Sequence, residues 1–400
     1  MAPGGASVKA LTQSPTERGF VQNPYPFYER ARAAGPFFLW QDYGLVCTGN
    51  ATALTAVFRD RRFGREAPTE FAPEIPDHLK PFYAVEAHSM LELEPPRHTR
   101  LRGLVLRAFT SRRIAALTPD IEALTHRLID GFPDGPFDLL NAFAKPLPVT
   151  IIARLLGVPE ERADDLLGWS NAMVGVYMAG RTRATEDRAV AATVAFVGFM
   201  TDYIARRRAE PADDLITHLI AAEAAGERLT PEELISTCIL LLNAGHEATV
   251  HSIGNGVKTL LETGTGVAAL AEDRIAATAE EILRYDPPLQ MFTRWAYATV
   301  EVMGHTFRRG DQVGLLLAAA NRDPAVWDQP DRFWPERLER ANLSFGAGLH
   351  FCVGAPLARL ELQVALPILF HRLPGLRLAE PPEYADVYHF HGLRRLMVSG

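Results

Sequence analysis

Cysteine is scarce in this chain. Three occur in 400 residues, Cys47, Cys238 and Cys352. A set that is odd and sparse is no disulfide framework, and it fits a reducing compartment. Long apolar runs are missing too. No stretch reaches the roughly 18 uninterrupted apolar residues of a membrane span. The richest run, residues 234–242, is short and gives way to Asn243 and Glu247. Residues 1–18 are small and polar, with no apolar core of signal-peptide length. These gaps predict a soluble, cytoplasmic protein without a membrane anchor. Basic excess is also absent. The 41 basic and 48 acidic residues leave a net charge of −7, which argues against nucleic acid as a general partner. No Gly-x-Gly-x-x-Gly strand–helix unit is present, and no cysteine cluster for iron–sulfur. No repeat or low-complexity linker interrupts the chain.

What is present is an ordinary globular composition, 48% apolar and 22% charged. Residues 1–18 read as a flexible N-terminal arm, and residues 19–400 as a single domain. A helix is expected over 27–34, between the turn at Asn23-Pro24-Tyr25-Pro26 and Gly35-Pro36. Two short strands are expected around Asp42-Tyr43-Gly44. Thr230-Pro231-Glu232-Glu233 is a capping box with Pro at the first helical position. The apolar pattern then continues to about Leu261. That is roughly 30 residues, or about 45 Å, and so apolar a helix should cross the middle of the molecule. A second helix runs from about Gly354 to Arg372, with Leu357, Leu360, Val364 and Leu369 in period. The fold expected is mainly α with a minor β portion.

The most informative stretch is Phe345-Gly346-Ala347-Gly348-Leu349-His350-Phe351-Cys352-Val353-Gly354. Its glycines let the backbone turn tightly, so that N–H groups can approach a sulfur. Phe345 and Phe351 can shield that sulfur from water. A helix starting near Gly354 brings a positive dipole end to a thiolate. Cys47, on an expected strand, and Cys238, in the apolar run, read as packed core residues instead. The spacing Phe-x-x-Gly-x-His-x-Cys-x-Gly resembles the haem-binding loop of the cytochrome P450 family. Further segments match in order, and the resemblance runs from Asn23-Pro24-Tyr25 to Gly392-Leu393. Glu281-Ile282-Leu283-Arg284 is similar to the family's Glu-x-x-Arg helix, where i, i+3 spacing allows an ion pair. Pro330-Asp331-Arg332-Phe333 resembles the segment whose Arg joins that pair. Ala244-Gly245-His246-Glu247 resembles the oxygen-binding bend of the long central helix. Gly245 costs about 1 kcal/mol there relative to Ala, which close approach to a flat cofactor would offset.

The resemblance implies a haem b cofactor, with Cys352 as axial ligand to the iron and the long helix over the haem. His98 and Arg102 on one helix face, with Arg294 and His350, would hold the propionates; Arg100 is a further possibility. It implies a monooxygenase that inserts one atom of O2 into a C–H bond of a hydrophobic small molecule. A ferredoxin or flavodoxin with a separate reductase would supply electrons. Arg107, Arg112, Arg113 and Arg359 are a candidate dock for such an acidic partner. Pocket residues implied are Phe82, Tyr83, Met173, Tyr177, Ala244, Ala248, Leu289, Met291 and Phe390. Zinc is a poor alternative, because Cys352 has no neighbour at ligand spacing except His350.

The sequence departs from the family pattern at Ala248. The family usually has Thr after the acid, and here Glu247-Ala248-Thr249 stands instead. Thr249 is about 100° further round the helix and should not point the same way. Glu247 keeps the acid for proton delivery, while the neighbouring hydroxyl must come from substrate or an ordered water. Ala248 leaves open a peroxide-using hydroxylase or decarboxylase of the same fold. A haem-binding sensor without turnover is the alternative outside enzymes.

Overall fold

The computed structural model describes residues 8–224, 229–337 and 340–400. In chain order the strands used below are β1 (Lys9–Leu11), β2 (Phe38–Trp40), β3 (Leu45–Thr48), β4 (Phe63–Gly64), β5 (Met291–Ala296) and β6 (Gln312–Leu316). The helices are α1 (Tyr25–Ala33), α2 (Ala51–Arg59), α3 (Lys80–Glu86), α4 (Arg97–Ala108), α5 (Pro146–Leu156), α6 (Ala163–Val174), α7 (Arg183–Ala209), α8 (Pro231–Thr263), α9 (Ile275–Tyr285) and α10 (Ala355–Arg372). The fold is mainly α with a minor β portion, as the sequence predicts. The chain divides into two compact units. The first comprises residues 1–73, 251–352 and 374–400, and the second 74–250 with 353–373.

The first unit is built on a six-stranded sheet in the order β1-β2-β3-β6-β5-β4. β1 runs parallel to β2, and β3 parallel to β6; the other pairs are antiparallel. Strand alternation separates two apolar clusters. Val313 and Leu315 point into one with Leu54, Val57, Phe58 and Phe307. Leu316 joins the other, with Phe27, Tyr28, Phe38, Trp40 and Cys47. A side chain at Gly314 would place its Cβ 2.5 Å from the Cys47 sulfur, so the glycine makes room for the thiol. Burial pushes the Cys47 thiol up, as befits a packed core residue. Residues 9–11, expected within a loose arm, instead form the edge strand β1. It is held by backbone pairing to β2, and its two exposed residues give no apolar alternation to read.

The second unit is helical. α8 opens on the expected capping box: the Glu233 N–H donates to Thr230 Oγ1 at 3.2 Å, and the Thr230 N–H donates to Glu233 Oε2 at 3.0 Å. The helix runs for 33 residues, about 50 Å at 1.5 Å per residue. Cys238 is wholly buried on it, and burial pushes its thiol up to about 12. Gly245 also answers to packing. A Cβ there would lie 2.7 Å from Ile152 Cγ1, so the glycine lets α5 pack closely onto α8. Among the described residues α7 is long and apolar enough to cross a membrane; it packs on α6 with Ala189, Phe196 and Met200 buried.

Candidate active site

The cysteine loop lies in the first unit. Gly346 and Gly348 adopt φ of +67° and +71°, a backbone region that L side chains rarely enter. A Cβ at Gly348 would also sit 2.1 Å from the Phe58 carbonyl oxygen, so this turn rests on glycine twice over. The loop closes through two backbone hydrogen bonds. Cys352 N–H donates to the Phe345 carbonyl at 3.0 Å, and Phe351 N–H to that of Gly348 at 3.2 Å. Phe345 and Phe351 meet edge-on with ring centroids 6.3 Å apart. Cys47 and Cys238 are buried, whereas Cys352 is half-buried. Beside it Phe351 keeps 38% of its surface exposed, a large apolar ring held at the rim of the loop. Helix α10 begins three residues further on.

Arg294 comes from β5, in register with Val313 on β6. It is only 4% exposed. Its guanidinium donates to the Thr293 carbonyl at 2.8 Å and lies 4.9 Å from the Phe58 ring centroid. A cation held against apolar rings suits an acidic ligand group, since a low dielectric strengthens the pairing. His350 is half-buried in the cysteine loop. Leu289 and Phe390 face each other across an isolated antiparallel bridge. Met291 has a different setting. It sits in the apolar cluster with Phe38, Trp40 and Cys47, which makes it core rather than pocket wall.

The expected brace forms, with one member exchanged. Arg284 Nε and Nη2 donate to the two oxygens of Glu281 at 2.7 and 2.8 Å, both side chains being buried. The third member is Arg337, whose Nε donates to Glu281 Oε2 at 3.0 Å. Arg332 contributes its backbone carbonyl, which accepts from Arg284 at 3.2 Å, while its side chain reaches over Trp334. The Trp334 N–H completes the carboxylate's set at 2.7 Å. A buried carboxylate needs such a full complement of donors. Two arginines five residues apart compete for this role in the sequence, and the turn after Phe333 decides for the later one.

In the second unit α4 carries His98, 1% exposed, and the half-buried Arg102 one turn later. Arg100 is committed elsewhere, to Glu233 at the start of α8. Of the candidate docking arginines, Arg107 and Arg112 are exposed and Arg359 is half-buried. Arg113 is held by Asp213 at 2.8 Å. Phe82, fully buried on α3, packs edge-on against Tyr83 and Tyr177 at 5.2 and 5.9 Å. The Tyr177 hydroxyl donates to Glu86 at 2.6 Å. Along the buried α8, a stripe of less buried residues runs through Leu240, Asn243, Ala244, Glu247 and Ala248. The helical period puts these on one side, as expected of a cavity wall. Glu247 lies on it with 13% of its side chain exposed, 3.6 Å from His246 Nε2. Thr249 is buried, off the stripe that carries Ala248. Asn243 is a residue that motif reading passes over. Its Nδ2 donates to the sulfur of Met173 at 3.6 Å. The signal available for it was a carboxamide interrupting an apolar run.

A porphyrin iron with a thiolate ligand needs a thiol at the rim of a tight loop, apolar rings beside it and cations for two carboxylates. Cys352, Phe351 and the buried Arg294 meet those needs, so the donor set fits a haem-thiolate centre. The comparisons agree. The family model for cytochrome P450 matches residues 275–374. The biotin biosynthesis cytochrome P450 of Bacillus subtilis (strain 168) is 35% identical over 97% of this chain and 99% of its own. Vitamin D(3) 25-hydroxylase of Pseudonocardia autotrophica is 38% identical over 98% of both. Among solved structures, P450BioI in complex with hexadec-9Z-enoic acid ligated acyl carrier protein superposes with a TM-score of 0.90 at 35% identity, covering 96% of this chain and 99% of that one. This chain belongs to the cytochrome P450 family, and it is a haem-iron monooxygenase.

Proposed function

We propose that this protein inserts one oxygen atom of O2 into a C–H bond of a hydrophobic small molecule. Electrons would come from a ferredoxin or flavodoxin served by a separate reductase, in the cytoplasm. The observation that carries the reading is the half-buried Cys352 in a loop that glycine alone permits, beside the rings of Phe345 and Phe351. When bound, haem b with a thiolate ligand supplies dioxygen activation and O–O cleavage. Cys352 would be that ligand. Arg294, His350, His98 and Arg102 would hold the propionates. Glu247 would relay protons, one turn along from Asn243 and next to Ala248. Ala244 and Ala248 offer small apolar surface to substrate, with Leu289, Phe390, Phe82, Tyr83, Met173 and Tyr177 as further wall. The exposed Arg107 and Arg112 supply positive charge for an acidic partner on a protein of net charge −7. An apolar substrate is supported by this lining and by the relatives, whose names and titles include vitamin D(3) and a long-chain fatty acyl group.

The test is the spectrum of the reduced, carbon monoxide-bound protein, in wild type and Cys352→His. The red-shifted Soret band of a thiolate complex is expected in wild type and not in the variant. The same band position in both would overturn the assignment of Cys352. Product formation with peroxide alone, at a rate matching that with the electron-transfer proteins, would favour the peroxide-using reading instead, to which Ala248 lends support.

A further inference from the structure

The stripe of less buried residues on α8 contains one neutral side chain that can both donate and accept. Asn243 hangs its Nδ2 on the thioether of Met173 at 3.6 Å. A thioether is a weak acceptor. The carboxamide oxygen has less: Oδ1 is buried and meets no hydrogen-bond donor among the described residues. Turning the amide over does not repair this, because the nitrogen would then lose its acceptor and the oxygen would face a sulfur that cannot donate. The protein alone therefore leaves this group under-satisfied in either orientation. Buried polar groups are rarely left so unless an ordered water or a ligand completes them. Swinging the carboxamide toward the stripe sacrifices a weak N–H···S contact, and a hydroxyl or N–H from a ligand would give the oxygen a full hydrogen bond.

We propose that Asn243 is a specificity-determining residue, which selects hydrophobic substrates that carry a hydrogen-bond donor, a hydroxyl or an amide N–H. This rests on the reading of the α8 stripe as the substrate wall of a haem-thiolate monooxygenase. The placement of Asn243 sharpens it. It lies five residues before Ala248, about 7.5 Å along the helix axis. Asn243 thus anchors a donor several bonds removed from the carbon that approaches Ala248, and it is not a stand-in for the missing hydroxyl. It acts by recognition, and its signature belongs in affinity rather than in the oxygen chemistry.

The experiment uses the haem-loaded full chain and three matched probes: cyclododecanol, cyclododecanone and methoxycyclododecane. They share an apolar ring, but only the first can donate. Affinities are read by calorimetry and by the shift of the haem spectrum. The expected result is that wild type binds the alcohol at least tenfold more tightly than the ketone or the ether, about 1.4 kcal/mol. Asn243→Leu should abolish that preference. Asn243→Leu should also leave the thermal midpoint unchanged or raised, since it removes an unsatisfied acceptor; Asn243→Ala serves the same test should leucine prove too large. Failure of wild type to bind the alcohol, equal affinity for all three probes, or an alcohol preference that survives in both Asn243 variants would overturn the proposal. The reduced, carbon monoxide-bound spectrum of the same preparations separates the two failures. A thiolate band with no alcohol preference sinks the role of Asn243 alone, whereas loss of that band in wild type sinks the reading beneath it.

Discussion

Gly245→Ala tests whether packing or cofactor approach dictates the glycine in the middle of α8. In an open helix the change should stabilise by about 1 kcal/mol, because Ala is the better helix former. Here the new methyl would meet Ile152 Cγ1 at 2.7 Å, Cδ1 at 3.0 Å and Cβ at 3.4 Å. Ile152 is fully buried, so it has little room to retreat. Overpacking of this kind costs about 1–3 kcal/mol. The balance is a net loss of roughly 0–2 kcal/mol. The partner change isolates the cause. Ile152→Ala alone should cost about 2–5 kcal/mol through the cavity it opens. In the double variant the methyl added at position 245 fills part of that cavity, so the losses should fall short of additive by about 1–3 kcal/mol. Urea unfolding followed by circular dichroism, on protein with and without haem, measures all four corners. A gain of the full 1 kcal/mol for Gly245→Ala would refute the close contact. So would strictly additive losses. If the haem-free protein is indifferent to Gly245→Ala while haem retention falls, and Ile152→Ala does not rescue it, cofactor approach governs the position after all.

The brace predicts an asymmetry between two nearby arginines. Arg337→Ala leaves the buried Glu281 short of a donor and should cost about 3 kcal/mol or more, whereas Arg332→Ala should stay within about 0.5 kcal/mol, because its backbone carbonyl makes the contact; chemical denaturation of the two variants decides. Stability should also fall in mild acid. Burial lowers His391 from 6.5 to about 4. Burial pushes Asp286 up, but His391, Lys258 and the Tyr384 and Tyr25 hydroxyls outweigh it, so its pKa is lowered. Both groups are depressed in the folded state, so the unfolded chain takes up protons first as pH falls: the His391 share is lost from about 6.5 down to about 4, and the Asp286 share only below the ordinary carboxylate value of 3.8. The His391 share is on the order of 3 kcal/mol, at about 1.36 kcal/mol per pKa unit. Thermal midpoints across that range should show a shallower slope for His391→Gln, and an unchanged slope would refute the assignment. Finally, Ala248→Thr should not improve the ratio of product to reductant consumed with the true substrate. A poorly coupled wild type that threonine restores would end the idea that substrate or water supplies the missing hydroxyl.

What could be read from the chain, and what could not, divides along the distance over which the information acts. The capping box at Thr230 and Glu233 is local, four residues that satisfy one another, and it stands as written. The turn of the cysteine loop is local as well, since its glycines answer to φ. The Glu281–Arg284 pair follows from one helical turn. Beyond that range the sequence offers equivalents that it cannot rank. Arg332 and Arg337 are both arginines after a proline, and only the path of the chain past Trp334 brings the second guanidinium to Glu281. Gly245 could serve a cofactor or a helix crossing. The contact that favours the crossing is with Ile152, 93 residues away in the sequence, on a helix whose approach no periodicity reveals. β1 was invisible because an edge strand held by backbone hydrogen bonds needs no apolar alternation. Asn243 was overlooked for the opposite reason: a lone polar residue in an apolar run reads as the end of a pattern. Its meaning comes from a sulfur on another helix and from an oxygen that the described residues leave unanswered. Motifs therefore report the parts that one cofactor imposes on many chains. Residues such as Asn243, which face what differs between substrates, carry no motif, and a position of that kind is where selectivity in this chain should be sought.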